Sequence, residues 1–266
     1  MTLFAKLGEF KIAYKLEGAK DAPVMTFSNS LVCSMGMWDR VADQLKDKFR
    51  LLRYDTRGHG RSDSTPSPYS IEDLAHDVIS LWDHLDIQSS HFIGLSLGGM
   101  TGINLALNHP ARVISLVASD CRAEADPAYA EMFLGRVKKT KEEGMETLVE
   151  PTLARFFTPE FSTANPEVVA RYAAMIRDTS EDGHNGCCMA LAGGRMNEQL
   201  ANLSVPTLFL GGSEDIGAPP AIMQAMHKVT PGSKHVVLEG AGHISCEETP
   251  IDYAAEIFAM VGSVDA

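Results

Sequence analysis

The chain has 266 residues, 45% of them hydrophobic and 22% charged, with a formal net charge of −12. A chain of this length can bury a large core without disulfide or metal staples, and it contains no uninterrupted apolar run of about twenty residues of the kind that spans a membrane. The acidity would repel a nucleic acid backbone or an anionic bilayer, and no Lys/Arg cluster interleaved with aromatics offsets it.

The first residues, MTLFAKLGEF, lack the charged, apolar and small-residue succession of a signal peptide, so a cytoplasmic location is the default expectation. LFAKLGEFKIAYKLEG then reads as a hairpin. Further strand candidates are PVMTFSNS, FRLLRYD, HFIGLS, VISLVASD, PTLFLGG and HVVLEG, most of them ending in Gly, Ser, Asn or Asp. Helical patterns lie between them. The clearest is SIEDLAHDVISLWDHL, where Ser70 is a cap candidate and Leu74, Val78, Leu81, Trp82 and Leu85 share one face. Alternation of this kind predicts an α/β protein with a mostly parallel sheet of eight strands, the first two antiparallel, flanked by helices.

The alternation stops at Asp120 and resumes near Val205. Residues 122–203 are richer in Ala, Glu, Lys, Arg and Met and carry helical patterns such as AYAEMFLGRVKKTKEEG and PEVVARYAAMIRDT. They read as an inserted helical cap with a small core of Phe133, Leu134, Phe156, Phe157 and Met175, and residues 1–121 and 204–266 read as the main domain. The five cysteines are an odd number, and adjacent Cys187 and Cys188 match no zinc knuckle, so reduced thiols and no metal site are expected.

In HFIGLSLGGM a strand pattern feeds Ser96 and a helix pattern leaves it, with glycines two positions either side. This is the strand, turn and helix setting in which a serine projects its hydroxyl above a sheet. A serine hydroxyl needs a base, and the base needs a group to hold its tautomer. His243, in the late loop GAGHIS, is the candidate base. His59, in DTRGHGRS, is its rival, although it precedes the serine. Asp215, past the strand PTLFLGG, is the candidate acid, and Asp120, past VISLVASD, competes with it. Two N–H groups would hold the oxyanion: that of Leu97, directly after the serine, and that of Leu31 in the loop SNSLV.

Taken together, VMTFSNSLVCSMGMWD, LLRYDTRGHGRSD, PYSIEDLAHDV, HFIGLSLGGMTG, LARFFTPEF, GCCMA and GHIS resemble the 3-oxoadipate enol-lactone hydrolases, members of the α/β-hydrolase superfamily, over nearly the whole chain. The resemblance implies an α/β-hydrolase fold and a cofactor-free serine hydrolase of aromatic catabolism. Its triad would be Ser96, Asp215 and His243, with a helical cap over a pocket for a small lactone or ester. It puts Val32, Trp38 and Asp120 near that pocket. An anionic lactone would need a cation from among Arg122, Arg136, Arg155 and Arg195.

Three positions depart from the family. Val32 replaces the glycine of SNSLG, Arg155-Phe156-Phe157-Thr158 replaces Arg-Trp-Phe-Thr, and Ser119-Asp120 replaces Asn-Thr, which adds a carboxylate. The same triad would serve a carboxylesterase or lactonase of another small substrate, or a perhydrolase. A non-catalytic small-molecule receptor and a homo-oligomeric assembly are both compatible with the sequence.

Overall fold

A computed structural model describes residues 1–262 and 264. Eight strands form one sheet: β1 (Leu3–Leu7), β2 (Phe10–Gly18), β3 (Val24–Ser28), β4 (Arg50–Tyr54), β5 (Ser90–Leu95), β6 (Val113–Ser119), β7 (Thr207–Gly212) and β8 (Lys234–Leu238). Their order is β1-β2-β4-β3-β5-β6-β7-β8. β2 runs antiparallel to both β1 and β4, and every pair from β4 to β8 is parallel. The expected parallel sheet with an antiparallel start is therefore present. β5 and β7 are buried at every residue, as strands covered on both faces must be.

The helices are α1 (Asp39–Leu45), α2 (Ile71–His84), α3 (Leu97–Asn108), α4 (Pro127–Glu143), α5 (Val149–Phe156), α6 (Pro159–Ala164), α7 (Pro166–Asp178), α8 (Glu181–Gly193), α9 (Pro220–Val229), α10 (Ser245–Glu248) and α11 (Pro250–Gly262). α2 begins where the sequence predicts. Ser70 Oγ accepts from Asp73 N, and the Asp73 carboxylate accepts from Ser70 N, so two of the N–H groups at this helix start find partners. α3 packs under β5 and β6, α9 under β7 and β8, and α1 against α11. Among the described residues no helix is long and apolar enough to cross a membrane. All five cysteines are free and buried.

β6 and β7 are neighbours in the sheet, yet α4 to α8 lie between them in the chain. The two ends of that helical segment meet: Ala125 N donates to Gly194 O at 3.1 Å and Met196 N to Ala123 O at 2.9 Å, around a bridge between Glu124 and Arg195. Within the segment Phe133, Phe156 and Phe157 are buried and Met175 is partly buried. Leu134 differs from the expectation and is 46% exposed. It sits one residue beyond Phe133, and a step of one residue turns a helical side chain about 100° away from its neighbour.

Candidate active site

The parallel strands bring their C-terminal ends to one edge of the sheet, where the chain must turn into loops or helices. Ser96 follows β5, Asp120 follows β6, Asp215 follows β7 and His243 lies beyond β8. Ser96 has φ 57° and ψ −109°, a conformation that an L-residue adopts only when its surroundings hold it there. The glycines on either side explain how the turn closes. A Cβ on Gly94 would stand 2.1 Å from Gly98 O, and one on Gly98 would stand 2.2 Å from Ser28 O. Ser96 N donates to Ser119 O at 2.9 Å and Gly98 N to Asn29 O at 3.0 Å, which ties the turn to the ends of β6 and β3.

His243 is buried, and its Nδ1 lies 2.9 Å from Asp215 Oδ2. The second oxygen of Asp215 accepts from Gly217 N at 2.6 Å. Burial alone would raise the Asp215 carboxyl, but the His243 imidazole and the amides of Gly217 and Ala218 outweigh it and hold it below the usual carboxylate range. The ring of Phe156 stacks on the imidazole, with centroids 5.8 Å apart and planes 23° from parallel. Ser96 and His243 line one narrow cavity, with about 20 Å³ of free volume.

Asp120 is placed differently. It is fully buried with φ 46°, its Oδ1 accepts from Gly212 N at 2.9 Å, and its Oδ2 accepts from Ser245 Oγ at 2.6 Å. Burial, and then the Asp215 charge, raise its carboxyl well above the usual range. It does not line the cavity, so the added carboxylate of the Ser119-Asp120 pair faces the base of α10 and the end of β7. Nor does Trp38 line the cavity. Its indole N–H donates to Asn29 Oδ1 at 2.9 Å while its ring packs between Phe27 and Tyr253, so it braces the loop after β3 from the core. His59 is buried elsewhere, its Nδ1 3.0 Å from Arg57 O, and burial pushes its pKa down to about 4.

Leu31 and Val32 line the cavity beside Ser96. Leu97 is the first residue of α3, where the helix has no acceptor of its own for the leading N–H groups. Val32 has φ 59°, a left-handed conformation that a β-branched residue resists.

The four candidate arginines separate into two kinds. Arg122 pairs with Asp126 at 2.8 Å and donates to Gly217 O at 3.0 Å, and Arg195 donates to the carbonyls of Ala192 and Gly194. Arg136 and Arg155 line the cavity with Ser96, and neither forms an ion pair among the described residues. Arg136 Nη2 donates to Thr152 Oγ1 at 2.7 Å, its Nε is buried without a partner, and burial lowers its pKa, with the Arg155 charge acting the same way. Arg155 Nη1 points at the Met132 sulfur, 2.8 Å away. Two guanidiniums beside a serine and a histidine, without a carboxylate of their own, have the chemistry to hold an anion.

Ser30 was not anticipated. Its hydroxyl is buried without a hydrogen-bond partner, and Ser30 lines the same cavity, as does Tyr129. The motif SNSL marks the loop, but no pattern of residues shows which of its side chains turns inward. Among the described residues no group of three His, Cys, Asp or Glu side chains is arranged to hold a metal ion.

Residues 24–250 match the sequence-family profile of the alpha/beta hydrolase fold. The chain is 35% identical over 237 residues to 3-oxoadipate enol-lactonase 2 of Acinetobacter baylyi, covering 89% of this chain and 88% of that one. The crystal structure of the enol-lactonase from Burkholderia xenovorans superposes with a TM-score of 0.94 at 32% identity, covering 98% of this chain and 100% of that one. The malate-bound structure of a thermophilic esterase from Thermogutta terrifontis gives a TM-score of 0.92 at 27% identity, with both chains covered completely.

Proposed function

The chain belongs to the alpha/beta hydrolase fold family, and on that premise we propose that it opens a small anionic lactone or ester through an acyl-enzyme on Ser96, with 3-oxoadipate enol-lactone as the favoured substrate. The observation that carries this reading is the pair Arg136 and Arg155, which face the cavity of Ser96 and His243 with no acid partner among the described residues. The carboxylate of the substrate supplies that partner. The relatives named as enol-lactonases and the malate-bound esterase support an anionic ligand.

His243 takes the Ser96 proton as Oγ attacks the lactone carbonyl, and Asp215 holds the ring with Nδ1–H donated and stabilises the imidazolium. The N–H groups of Leu97 and Leu31 receive the oxyanion. On collapse the ring C–O bond breaks and the enol oxygen leaves with the proton from His243. It remains tethered to the acyl chain and rearranges to the ketone. Water then gives a proton to His243 and attacks the ester, and as this second intermediate collapses the C–Oγ bond breaks with that proton returned to Ser96 Oγ, releasing a carboxylic acid that ionises to a second carboxylate. Helices α4 to α8 act as the lid that keeps this site dry, which strengthens the pull of both arginines on the substrate.

The test is a turnover panel of enol-lactones bearing a carboxylate, neutral aryl esters and carbamates, read with the wild type and Arg136→Gln. The anionic lactone is expected to be the best substrate, and Arg136→Gln to lower its kcat/KM about 10- to 100-fold, the range for one charged hydrogen bond, while sparing neutral esters. Equal losses on charged and neutral substrates, or no turnover and no labelling of Ser96 by a fluorophosphonate, would remove the proposal.

A further inference from the structure

The loop carrying His243 is gripped by the short helix that follows it. Gly242 N donates to Glu248 Oε2 in a short hydrogen bond, and Ile244 N donates to Phe156 O at 3.0 Å, so both amides flanking the imidazole are held. The other oxygen of Glu248 accepts from Thr158 N and from Thr158 Oγ1, each at 2.9 Å. Thr158 is in turn the N-cap of α6, its Oγ1 accepting from Phe161 N at 3.2 Å.

One residue earlier, Glu247 is buried and its Oε2 accepts from Arg171 Nη2 at 2.6 Å and from Tyr172 O–H at 3.1 Å, both on α7. Arg40 of α1 donates to the Glu247 carbonyl at 2.7 Å. Consecutive glutamates of α10 therefore hold two separate parts of the helical segment against the sheet. A Cβ on Gly242 would stand 3.0 Å from Glu248 Oε2 and 3.0 Å from Phe156 O, so this position has little room for a side chain.

We propose that Glu248 is a positioning residue for His243: by bonding Gly242 N and Thr158 at once, it makes the placement of the imidazole depend on the seating of the α5–α6 turn over the sheet. The proposal rests on the reading of His243 as the base. Asp215 fixes one side of the ring, and the turn from Phe156 to Thr158 fixes the other by stacking, by the Phe156 carbonyl and through Glu248. When the helical segment lifts, the Glu248 tie to Thr158 is lost together with the stacked ring. An open site then holds a less ordered base, which keeps Ser96 from attacking before substrate is enclosed.

Glu248→Gln preserves volume but sets an amide NH₂ against either Gly242 N or the two donors of Thr158. In the full chain it is expected to lower kcat on p-nitrophenyl acetate about 10- to 100-fold, the scale of a small misplacement of a reacting group, with KM and melting temperature little changed. Added to His243→Gln, the same substitution should have no further effect on the residual rate, because there is no base left to position. Wild-type kcat in folded Glu248→Gln, or an undiminished loss in the His243→Gln background, would overturn the proposal. Should Glu248→Gln fail to fold, Glu248→Ala removes both arms of the tie, and wild-type kcat in that folded variant would overturn it equally. Wild-type turnover by His243→Gln would instead strike at the base assignment, a separate result.

Discussion

Asp215 Oδ2 meets His243 Nδ1 at 2.9 Å, although Asp120, at the end of the adjacent strand, is also a fully buried carboxylate. Both residues follow parallel strands, and spacing alone does not choose between them. The difference is that both oxygens of Asp120 are already engaged, by Gly212 N and Ser245 Oγ, whereas Asp215 keeps one oxygen for the imidazole.

Asp215→Asn is therefore expected to lower kcat by about 10³- to 10⁴-fold, since an amide cannot hold the donating tautomer or stabilise its charged form. Asp120→Asn is expected to stay within about tenfold of the wild type, because an amide oxygen still accepts from Gly212 N and its NH₂ can donate to Ser245 Oγ. Steady-state kinetics of the two variants on one ester decide the matter, and the reverse ranking would reassign the acid.

Val32 gives a prediction about stability. At φ 59° its Cβ and branched methyls oppose a backbone that glycine would adopt freely, a cost of about 1 to 3 kcal/mol. Val32→Ala loses buried methyls and keeps most of the strain. Val32→Gly loses one carbon more and relieves it. Urea unfolding is expected to rank the glycine variant about 1 kcal/mol above the alanine variant, against the usual order of side-chain truncation. An alanine variant as stable as the glycine one would mean that the packing around Val32 outweighs its backbone.

Acid pH acts through His59. Its folded pKa, pushed down by burial to about 4, lies below the unfolded value near 6.5, so between these limits the unfolded chain binds more protons. The stability contributed by the neutral ring is complete above about pH 6.5 and is lost as pH falls toward 4, roughly 3 kcal/mol at most. Neighbouring His184, lowered to about 3, acts the same way, while Asp55, Asp77 and Asp120, raised by burial, act oppositely. The informative quantity is thus the difference between the wild type and His59→Asn. The wild-type advantage in unfolding free energy should shrink between pH 7.5 and pH 4.5, and a constant difference would contradict the sign.

Much of the architecture was legible because its signals are local. Alternating strand and helix patterns, the Ser70 cap and the glycines around Ser96 each act within a few residues, and they led to the parallel sheet and to the turn after β5. What the sequence did not disclose is direction and long-range partnership. Leu134 and Phe133 are adjacent apolar residues, but only one faces inward. Arg122 and Arg136 look alike on paper, yet one pairs with Asp126 four residues away and the other donates to a neutral threonine hydroxyl and stands over the Phe133 ring. SNSL marks the loop of Ser30 without showing which way its hydroxyl turns, and Glu248 carries no motif, since its partner Thr158 lies far away in the chain.

The paired segments Ala123–Ala125 and Gly194–Met196 have a consequence for how such a molecule diversifies. The chain leaves the sheet and returns to it at the same doorway, so whatever lies beyond hangs on a fixed hinge frame. Doubling the length of such an excursion adds only about 0.6 kcal/mol of closure entropy. Helices beyond the doorway can be lengthened, shortened or exchanged while Ser96, Asp215 and His243, the residues proposed to react, keep their seats, so under that proposal inheritance can rewrite what the pocket admits without touching how it reacts.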